Sequence, residues 1–223
     1  MCGLLAGTGQ LSFKTLAKLG KKNADRGTDS AGIGWLDSDG PTVAKIAQHP
    51  VKAYGKTFWH LLQDAAKSGV VIGHTRMATT GSVCSENAHP FLVDGIAFAH
   101  NGVIHNYRQF GNFEVDSEAL IFGIKSKDFS KFIGPIALVW IEGDRLHAYR
   151  CGNPLFAGSK NNAVYLASSD RYLAQVDCKK IRPLDEGFIY RFDGMKYSRR
   201  IVPKNHTSYQ PSFNWRASSW LSS

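Results

Sequence analysis

The sequence predicts an α+β protein with two stacked antiparallel sheets and helices on the outside. Most of its apolar segments are short and bounded by turn-forming residues, which is typical of strands. The segments with helical spacing fall between an earlier and a later group of these strands. With 223 residues, 43% of them hydrophobic and 20% charged, the chain has the ordinary composition of one globular domain.

The first half is predicted to alternate between strands and helices. Residues 2–7, CGLLAG, are apolar and bounded by glycine, which indicates a buried strand. A helix is expected over residues 12–22, because Ser12 can cap its first turn and apolar residues recur near helical spacing. The next predicted elements are two strands around a Ser-Asp-Gly-Pro turn over residues 31–46, a helix over 56–67 and a strand over 69–75.

The second half is predicted to consist mainly of strands. A long polar stretch over residues 76–90 comes first, and a helix over 116–125 interrupts the strands, with Asp116 at or near its start. The remaining strands are predicted at residues 95–101, 134–142, 145–151, 154–159, 162–170 and 187–194.

The chain is expected to form one domain over residues 2–204, followed by a tail over residues 205–223. The tail is rich in serine and has no hydrophobic periodicity, so we expect it to be mobile. It also contains aromatic residues that could dock on a partner or pack on the domain itself: Tyr209, Phe213, Trp215 and Trp220.

Charge and cysteine usage narrow the class of protein. The formal net charge of +9 fits a nucleic-acid or acidic protein partner, or simply a solvated surface. The basic residues are spread out and not interleaved with aromatic residues, which argues against nucleic acid without excluding it. There is no apolar run of membrane-spanning length, no signal peptide, and no cysteine spacing typical of zinc sites or disulfide frameworks, so we expect a cytoplasmic protein without metal.

Cys2 is the candidate nucleophile. Removal of Met1 would leave a thiol and a free α-amino group on one residue. The α-amino group has an ordinary pKa of about 7.7–8.0, so it can accept the proton of the thiol near neutral pH. The alternative is a buried structural cysteine at position 2, and the dipeptide alone favours that alternative.

Three further segments contain groups that suit a free amino acid. Arg76 directly follows a predicted strand and can bind a carboxylate with two parallel hydrogen bonds, although an arginine there can simply be solvated. Asn101 and Gly102 can donate to an oxyanion or form a plain turn. Asp116 can accept an ammonium group or only cap a helix. Together with the thiol of Cys2, these groups predict a site for glutamine.

The order of these segments resembles that of the class II glutamine amidotransferases, which are N-terminal nucleophile (Ntn) hydrolases. The likeness is greatest to the glutaminase domain of glucosamine-6-phosphate synthase and covers roughly residues 2–195. It rests on MCGLLAG, DRGTDSAGIG, IGHTRMATTGS, ENAHPF, AHNGVIHNY, DSEAL, GNPLFAG and LASSD.

The resemblance implies a four-layer αββα sandwich and the hydrolysis of glutamine to glutamate and ammonia through a γ-glutamyl thioester on Cys2. It implies an oxyanion hole and substrate contacts, with no metal or organic cofactor. The implied site residues beyond Cys2 are Asn101 and Gly102 for the oxyanion, Arg76 for the α-carboxylate, Asp116 for the α-amino group, Arg26 for support of Cys2, and Thr79 and His89 in a loop that closes over glutamine.

The ammonia is then expected to pass to a separate synthetase or transferase, in amino-sugar synthesis or in nucleotide or nucleobase modification. Two other functions stay open at this stage. One is a cysteine Ntn hydrolase that acts on another amide, which the paired Arg76 and Asp116 argue against. The other is a non-catalytic binding module that has kept the fold, for which net charge is the only support.

Overall fold

The computed structural model describes residues 2–78 and 81–204 of the chain. Within these residues, two antiparallel sheets pack face to face. The first sheet contains β1 (Gly3–Gly9), β2 (Ser30–Asp37), β3 (Gly40–Ile46), β4 (Val70–Arg76), β9 (Phe156–Lys160), β10 (Ala163–Ala167) and β11 (Lys179–Pro183). Their order across the sheet is β11-β9-β10-β1-β4-β2-β3, so β1 lies in the middle of the sheet.

The second sheet contains β5 (Phe91–Val93), β6 (Ile96–Gly102), β7 (Ile136–Glu142), β8 (Arg145–Cys151), β12 (Phe188–Asp193) and β13 (Lys196–Ile201). Its order is β13-β12-β8-β7-β6-β5. Neighbouring strands in this sheet follow one another in chain order, except β8 and β12, between which the chain forms three strands of the first sheet.

The helices are short. The described α-helices are α1 (Phe13–Asn23), α2 (Pro50–Lys52), α3 (Trp59–Ser68), α4 (Leu120–Ser126) and α5 (Asp170–Gln175). A π-helical turn, Ala53–Thr57, precedes α3, and a 3-10 turn, Asp116–Ala119, leads into α4. The side chain of Ser12 accepts a hydrogen bond from the backbone N–H of Thr15, which is the predicted cap of α1.

Three apolar clusters separate four layers. One lies between α1, α3 and α5 and the first sheet, one lies between the two sheets, and one lies between the second sheet and α4. The four-layer αββα arrangement predicted for the fold is therefore confirmed.

The alternation of side chains along β6 sets the position of the candidate site. Ala97 and Ala99 face the first sheet, whereas Phe98 packs in the outer cluster beside α4. Asn101 continues the inward series and His100 the outward series. The end of β6 thus points an amide towards β1, across the space between the sheets.

The predicted elements are found, with differences at the edges of the sheets. The strands β5, β11 and β13 and the helices α2 and α5 were not predicted. The segment over 56–67 begins as a π-helical turn before α3, and the segment over 116–125 begins with a 3-10 turn at Asp116. The predicted tail, 205–223, lies outside the described residues. Among the described residues, no helix is long and apolar enough to cross a membrane.

Candidate active site

Cys2 lies at the entrance to β1, in the middle of the first sheet. Gly3 pairs with Thr75 of β4, so the end of β4 and the residues after it run beside Cys2. The backbone N–H of Met77 donates to Cys2 Sγ at 3.3 Å, and the thiol can donate to the Met77 carbonyl oxygen at 3.4 Å. The backbone of Met77 therefore fixes the sulfur next to Arg76.

Two side chains bind the carbonyl oxygen of Cys2. Arg26 Nε donates to it at 2.8 Å, and Asn101 Nδ2 donates to it at 2.8 Å from the second sheet. Burial raises the pKa of the Cys2 thiol, and the hydrogen bond from Met77 and the nearby charges of Arg76 and Arg26 oppose that rise only in part. The sulfur is consequently a thiol at neutral pH, and a base is needed to make it a nucleophile.

The amide of Asn101 is held from several sides. Besides the bond to Cys2, Asn101 Nδ2 donates to Ser168 Oγ at 3.3 Å. Asn153 Nδ2 donates to the backbone oxygen of Asn101 at 2.7 Å. Asn101 is buried, so its bonds to Cys2 and Ser168 define the orientation of the side chain, and the bond from Asn153 fixes its backbone.

Gly102 ends β6 in a conformation that excludes other residues. Its φ is +153°, and an added Cβ would lie 1.9 Å from the Pro135 carbonyl oxygen and 2.5 Å from His100 Nε2. Only glycine therefore fits beside Asn101.

Arg76 is buried at the end of β4 and contacts the loop that follows it. Its Nη1 donates to the Ser82 carbonyl oxygen at 3.0 Å. The same loop is held by Glu114, whose Oε1 accepts from Asn87 Nδ2 at 2.6 Å and from the Ser82 hydroxyl at 3.1 Å. These hydrogen bonds lower the pKa of the Glu114 carboxyl.

Asp116 is buried at the start of the 3-10 turn before α4. Its Oδ2 accepts from the backbone N–H of Ile104 at 2.6 Å, which fixes the segment after β6. The neighbouring Ser117 hydroxyl lies 2.8 Å from His100 Nδ1. Asp116 thus shares its surroundings with His100, whose pKa burial lowers and the Asp116 carboxylate raises only in part.

His89 is buried against His74, with ring centroids 4.3 Å apart. Neither ring has a hydrogen-bond partner among the described residues. Burial lowers the pKa of His74 to about 3 and that of His89 well below its usual range, so both rings are neutral. His89 is thus an uncharged residue packed against His74. Thr79, the other residue expected in the closing loop, lies outside the described residues.

Hydrogen bonds connect Cys2 directly to Arg26 and Asn101. Arg76 lies beside them because the backbone of the next residue, Met77, binds the Cys2 sulfur. Asp116 and His89 contact other parts of the same region. Sequence reasoning assigned no role to Ser168, Asn153 or the backbone of Met77, although the first two lie in the LASSD and GNPLFAG motifs. Their contacts depend on side-chain geometry that no local pattern encodes.

Among residues 2–78 and 81–204, no three His, Cys, Asp or Glu side chains lie close enough to hold a metal ion. The functional groups at Cys2 are a thiol, amides, a guanidinium and backbone N–H groups. Such a set suits acyl transfer to sulfur.

The chain is similar to known amidotransferases. A family model described as "Glutamine amidotransferases class-II" matches residues 1–119. A glutamine–fructose-6-phosphate aminotransferase (isomerizing) of Thermotoga maritima is 30% identical over 92% of this chain and 39% of its own length. The corresponding protein of Aquifex aeolicus is 29% identical over 91% of this chain and 40% of its own length. The chain therefore spans about two fifths of these relatives.

Solved structures share the fold. The "allosteric regulatory enzyme of purine biosynthesis" matches 90% of this chain and 49% of that chain with a TM-score of 0.74 at 21% identity. A glutamine phosphoribosylpyrophosphate amidotransferase from B. subtilis matches the same shares with a TM-score of 0.70, also at 21% identity. The family match covers more than half of the sequence, and the four-layer sandwich is shared with both solved structures. The chain belongs to the class II glutamine amidotransferases.

Proposed function

We propose that this protein hydrolyses glutamine to glutamate and ammonia with Cys2 as the nucleophile, and that the ammonia passes to an acceptor enzyme. The observation that supports the proposal is that both sheets contact Cys2. Cys2 directly precedes β1, the central strand of the first sheet, and its carbonyl oxygen accepts a 2.8 Å hydrogen bond from Asn101 of the second sheet.

The reaction needs a base, because burial keeps the Cys2 thiol protonated. We propose that the α-amino group of Cys2, free after removal of Met1, takes this proton. The sulfur then attacks the side-chain carbonyl carbon of glutamine. The proton moves to the leaving nitrogen, ammonia departs, and water hydrolyses the γ-glutamyl thioester to glutamate.

Asn101 and Gly102 are proposed to donate to the oxyanion that forms in both steps. The glycine is required by the space around it, and the adjacent amide already has its N–H groups directed to the Cys2 side. Arg26 is proposed to hold the Cys2 carbonyl oxygen, as its 2.8 Å bond supports.

Arg76 is proposed to bind the α-carboxylate of glutamine and Asp116 its α-amino group. Both are buried charged residues, Arg76 bound to the loop after β4 and Asp116 to the segment after β6, and each can form a charge-assisted bond with a group of opposite charge. Thr79 and His89 are proposed to belong to the loop that closes over the substrate. A neutral, buried His89 suits packing rather than proton transfer.

The acceptor is proposed to lie outside these 223 residues, since the relatives named for fructose-6-phosphate amination match this chain over only two fifths of their length. We propose a separate synthetase or transferase that acts on an amino-sugar or nucleotide-type substrate. If so, a candidate acceptor will use glutamine only when this protein is added, and ammonia without it. A candidate that gains no glutamine-dependent activity from the addition is not the partner.

The test uses the chain with a native N-terminus and a C-terminal tag. Intact mass establishes whether Met1 is removed, and glutamate release from glutamine is then measured for the wild type, Cys2→Ala and Cys178→Ala. Cys178 is the control because it is also a free cysteine but belongs to the apolar cluster between the helices and the first sheet. We expect activity in the wild type and in Cys178→Ala, and none in Cys2→Ala.

Unchanged activity of Cys2→Ala would contradict the assignment of the nucleophile. If the trimmed wild type releases no glutamate, a thiol-reactive glutamine analogue separates the remaining cases. Labelling of Cys2 means that the site binds glutamine and needs its partner for turnover. Absence of labelling contradicts glutamine as the substrate.

A further inference from the structure

Ser168 joins the two chain segments that the reaction uses. It directly follows β10, and its side chain is 1% exposed. Ser168 Oγ accepts from the backbone N–H of Leu4 at 2.8 Å, two residues after the nucleophile, and from Asn101 Nδ2 at 3.3 Å. The Ser168 backbone N–H also donates to the Leu4 carbonyl oxygen at 3.2 Å. One buried residue therefore contacts both sheets at the site.

The direction of the Asn101 amide decides whether the residue can stabilise an oxyanion. Only the NH2 end of the amide donates, and a reversed amide would present an acceptor. The Cys2 carbonyl oxygen can only accept, so at 2.8 Å it selects the NH2 end. The backbone N–H of Leu4 can only donate, so Ser168 Oγ is held as an acceptor that faces the same NH2 group. Both N–H groups of Asn101 are engaged in the resting protein.

We propose that Ser168 is a positioning residue that holds one N–H of Asn101 in place and releases it to the oxyanion. The 3.3 Å separation is longer than the usual 2.7–3.2 Å range for such bonds, so this contact is the weaker of the two. A bond to a developing negative charge is shorter and about twice as strong as a neutral one. Exchange of the Ser168 hydroxyl for the oxyanion as the acceptor is thus favourable. The inference rests on the proposed glutaminase activity.

The test is a double-mutant cycle on kcat and KM for glutamine with Ser168→Ala, Asn101→Ala and the double variant. We expect Ser168→Ala to lower kcat about 10-fold, less than the roughly 10²–10³-fold effect of deleting an oxyanion donor itself, and to change KM by less than about twofold. In the Asn101→Ala background the same substitution should have no further effect on kcat, because its target is gone. Ser168→Thr, which keeps the hydroxyl, should restore most of the loss.

Ser68→Ala is the matched control for stability. The Ser68 hydroxyl also binds backbone groups, those of Ala65 and Val70, but at the opposite end of β4. We expect it to lower the melting temperature without lowering kcat.

The proposal is overturned if Ser168→Ala lowers kcat by the same factor with and without Asn101, or if it raises KM and leaves kcat unchanged. It is also overturned if Ser168→Ala keeps wild-type kinetics, and the glutaminase function then still stands. A wild type that neither releases glutamate nor takes up the glutamine analogue rejects the proposed function, and this inference with it. Failure of the two ideas is therefore distinguishable.

Discussion

The two halves of the candidate site are built in different ways. In the nucleophile half, Asn101 Nδ2 of the second sheet donates to Cys2 and Ser168, which lie 99 and 67 positions away in the chain, at strand ends of the first sheet. In the head-group half, Arg76 and Asp116 bind backbone groups only 6 and 12 positions away, in loops. The first half thus depends on contacts between the two sheets, whereas the second depends on contacts with and within loops. We infer that turnover depends on the sandwich, whereas affinity for glutamine can change with the loops.

The largest expected effect is at the amide of the nucleophile half. Asn101→Ala should lower kcat roughly 10²–10³-fold, the usual loss for an oxyanion donor, while KM changes little. Steady-state glutamate release measures both constants. Asn162→Ala is the control, because its amide binds only Gln10 at the surface. A large rise in KM for Asn101→Ala would mean that the two halves are not separable.

A smaller effect is expected from the head-group half. Asp116→Asn keeps an oxygen for the N–H of Ile104 and removes the charge proposed to bind the α-amino group. Loss of one charge-assisted bond, about 1.5–3 kcal/mol, should raise KM roughly 10- to 100-fold with a smaller change in kcat. Asp128→Asn is the matched control, since it also accepts from a backbone N–H, that of Ser130. A fall in kcat as large as the rise in KM would contradict a role of Asp116 in binding.

The pH dependence of kcat/KM should report the nucleophile half alone. Burial raises the pKa of the Cys2 thiol. In the proposed mechanism the titrating base is the α-amino group of Cys2, which accepts a proton only when it is neutral. Activity should fall about 10-fold per pH unit below roughly pH 7.7 and level off above it. A pH–rate profile on the trimmed protein measures this. A flat profile between pH 6 and 8 would contradict the proposed base.

The smallest effect is expected at Glu114, an exposed residue that binds the loop after β4. Glu114→Ala removes the acceptor for Asn87 and Ser82, and Ser82 is also bound by Arg76. Because such exposed contacts contribute little, KM should rise only about two- to fivefold at constant kcat. Asp64→Ala, which removes an exposed pair with Lys67 on α3, should leave KM unchanged. A fall in kcat for Glu114→Ala would show that the loop also orders the nucleophile half.

Sequence patterns predicted the parts of this fold that are buried and regular. The alternation in β6 is enough to put Asn101 on the inner face and His100 on the outer one, since side chains alternate along a strand. Strands at the sheet edges were missed. β13 is exposed at every residue and β11 at most residues, so neither has an apolar pattern, and β5 has only three residues.

The sequence predicts the candidate site as a set of residues and not as a network of contacts. The candidate nucleophile and the charged groups stand in short motifs, and the family resemblance orders them. The contacts of Ser168 and Asn153 with Asn101 span 67 and 52 positions, and only the packing of the two sheets creates them. The bond from Asn101 to the Cys2 carbonyl oxygen was likewise not foreseen, because the amide was expected to face the substrate alone.

The central position of β1 has a consequence for protein synthesis. Its two neighbours are β4 and β10, and Ala6 pairs with Leu166, 160 positions later. At about 5–20 residues per second, a ribosome needs roughly 8–32 s to add that length of chain. Until then β1 lacks its neighbour β10. If Met1 is removed, as the proposed mechanism requires, this interval before the sheet is complete is available for its removal.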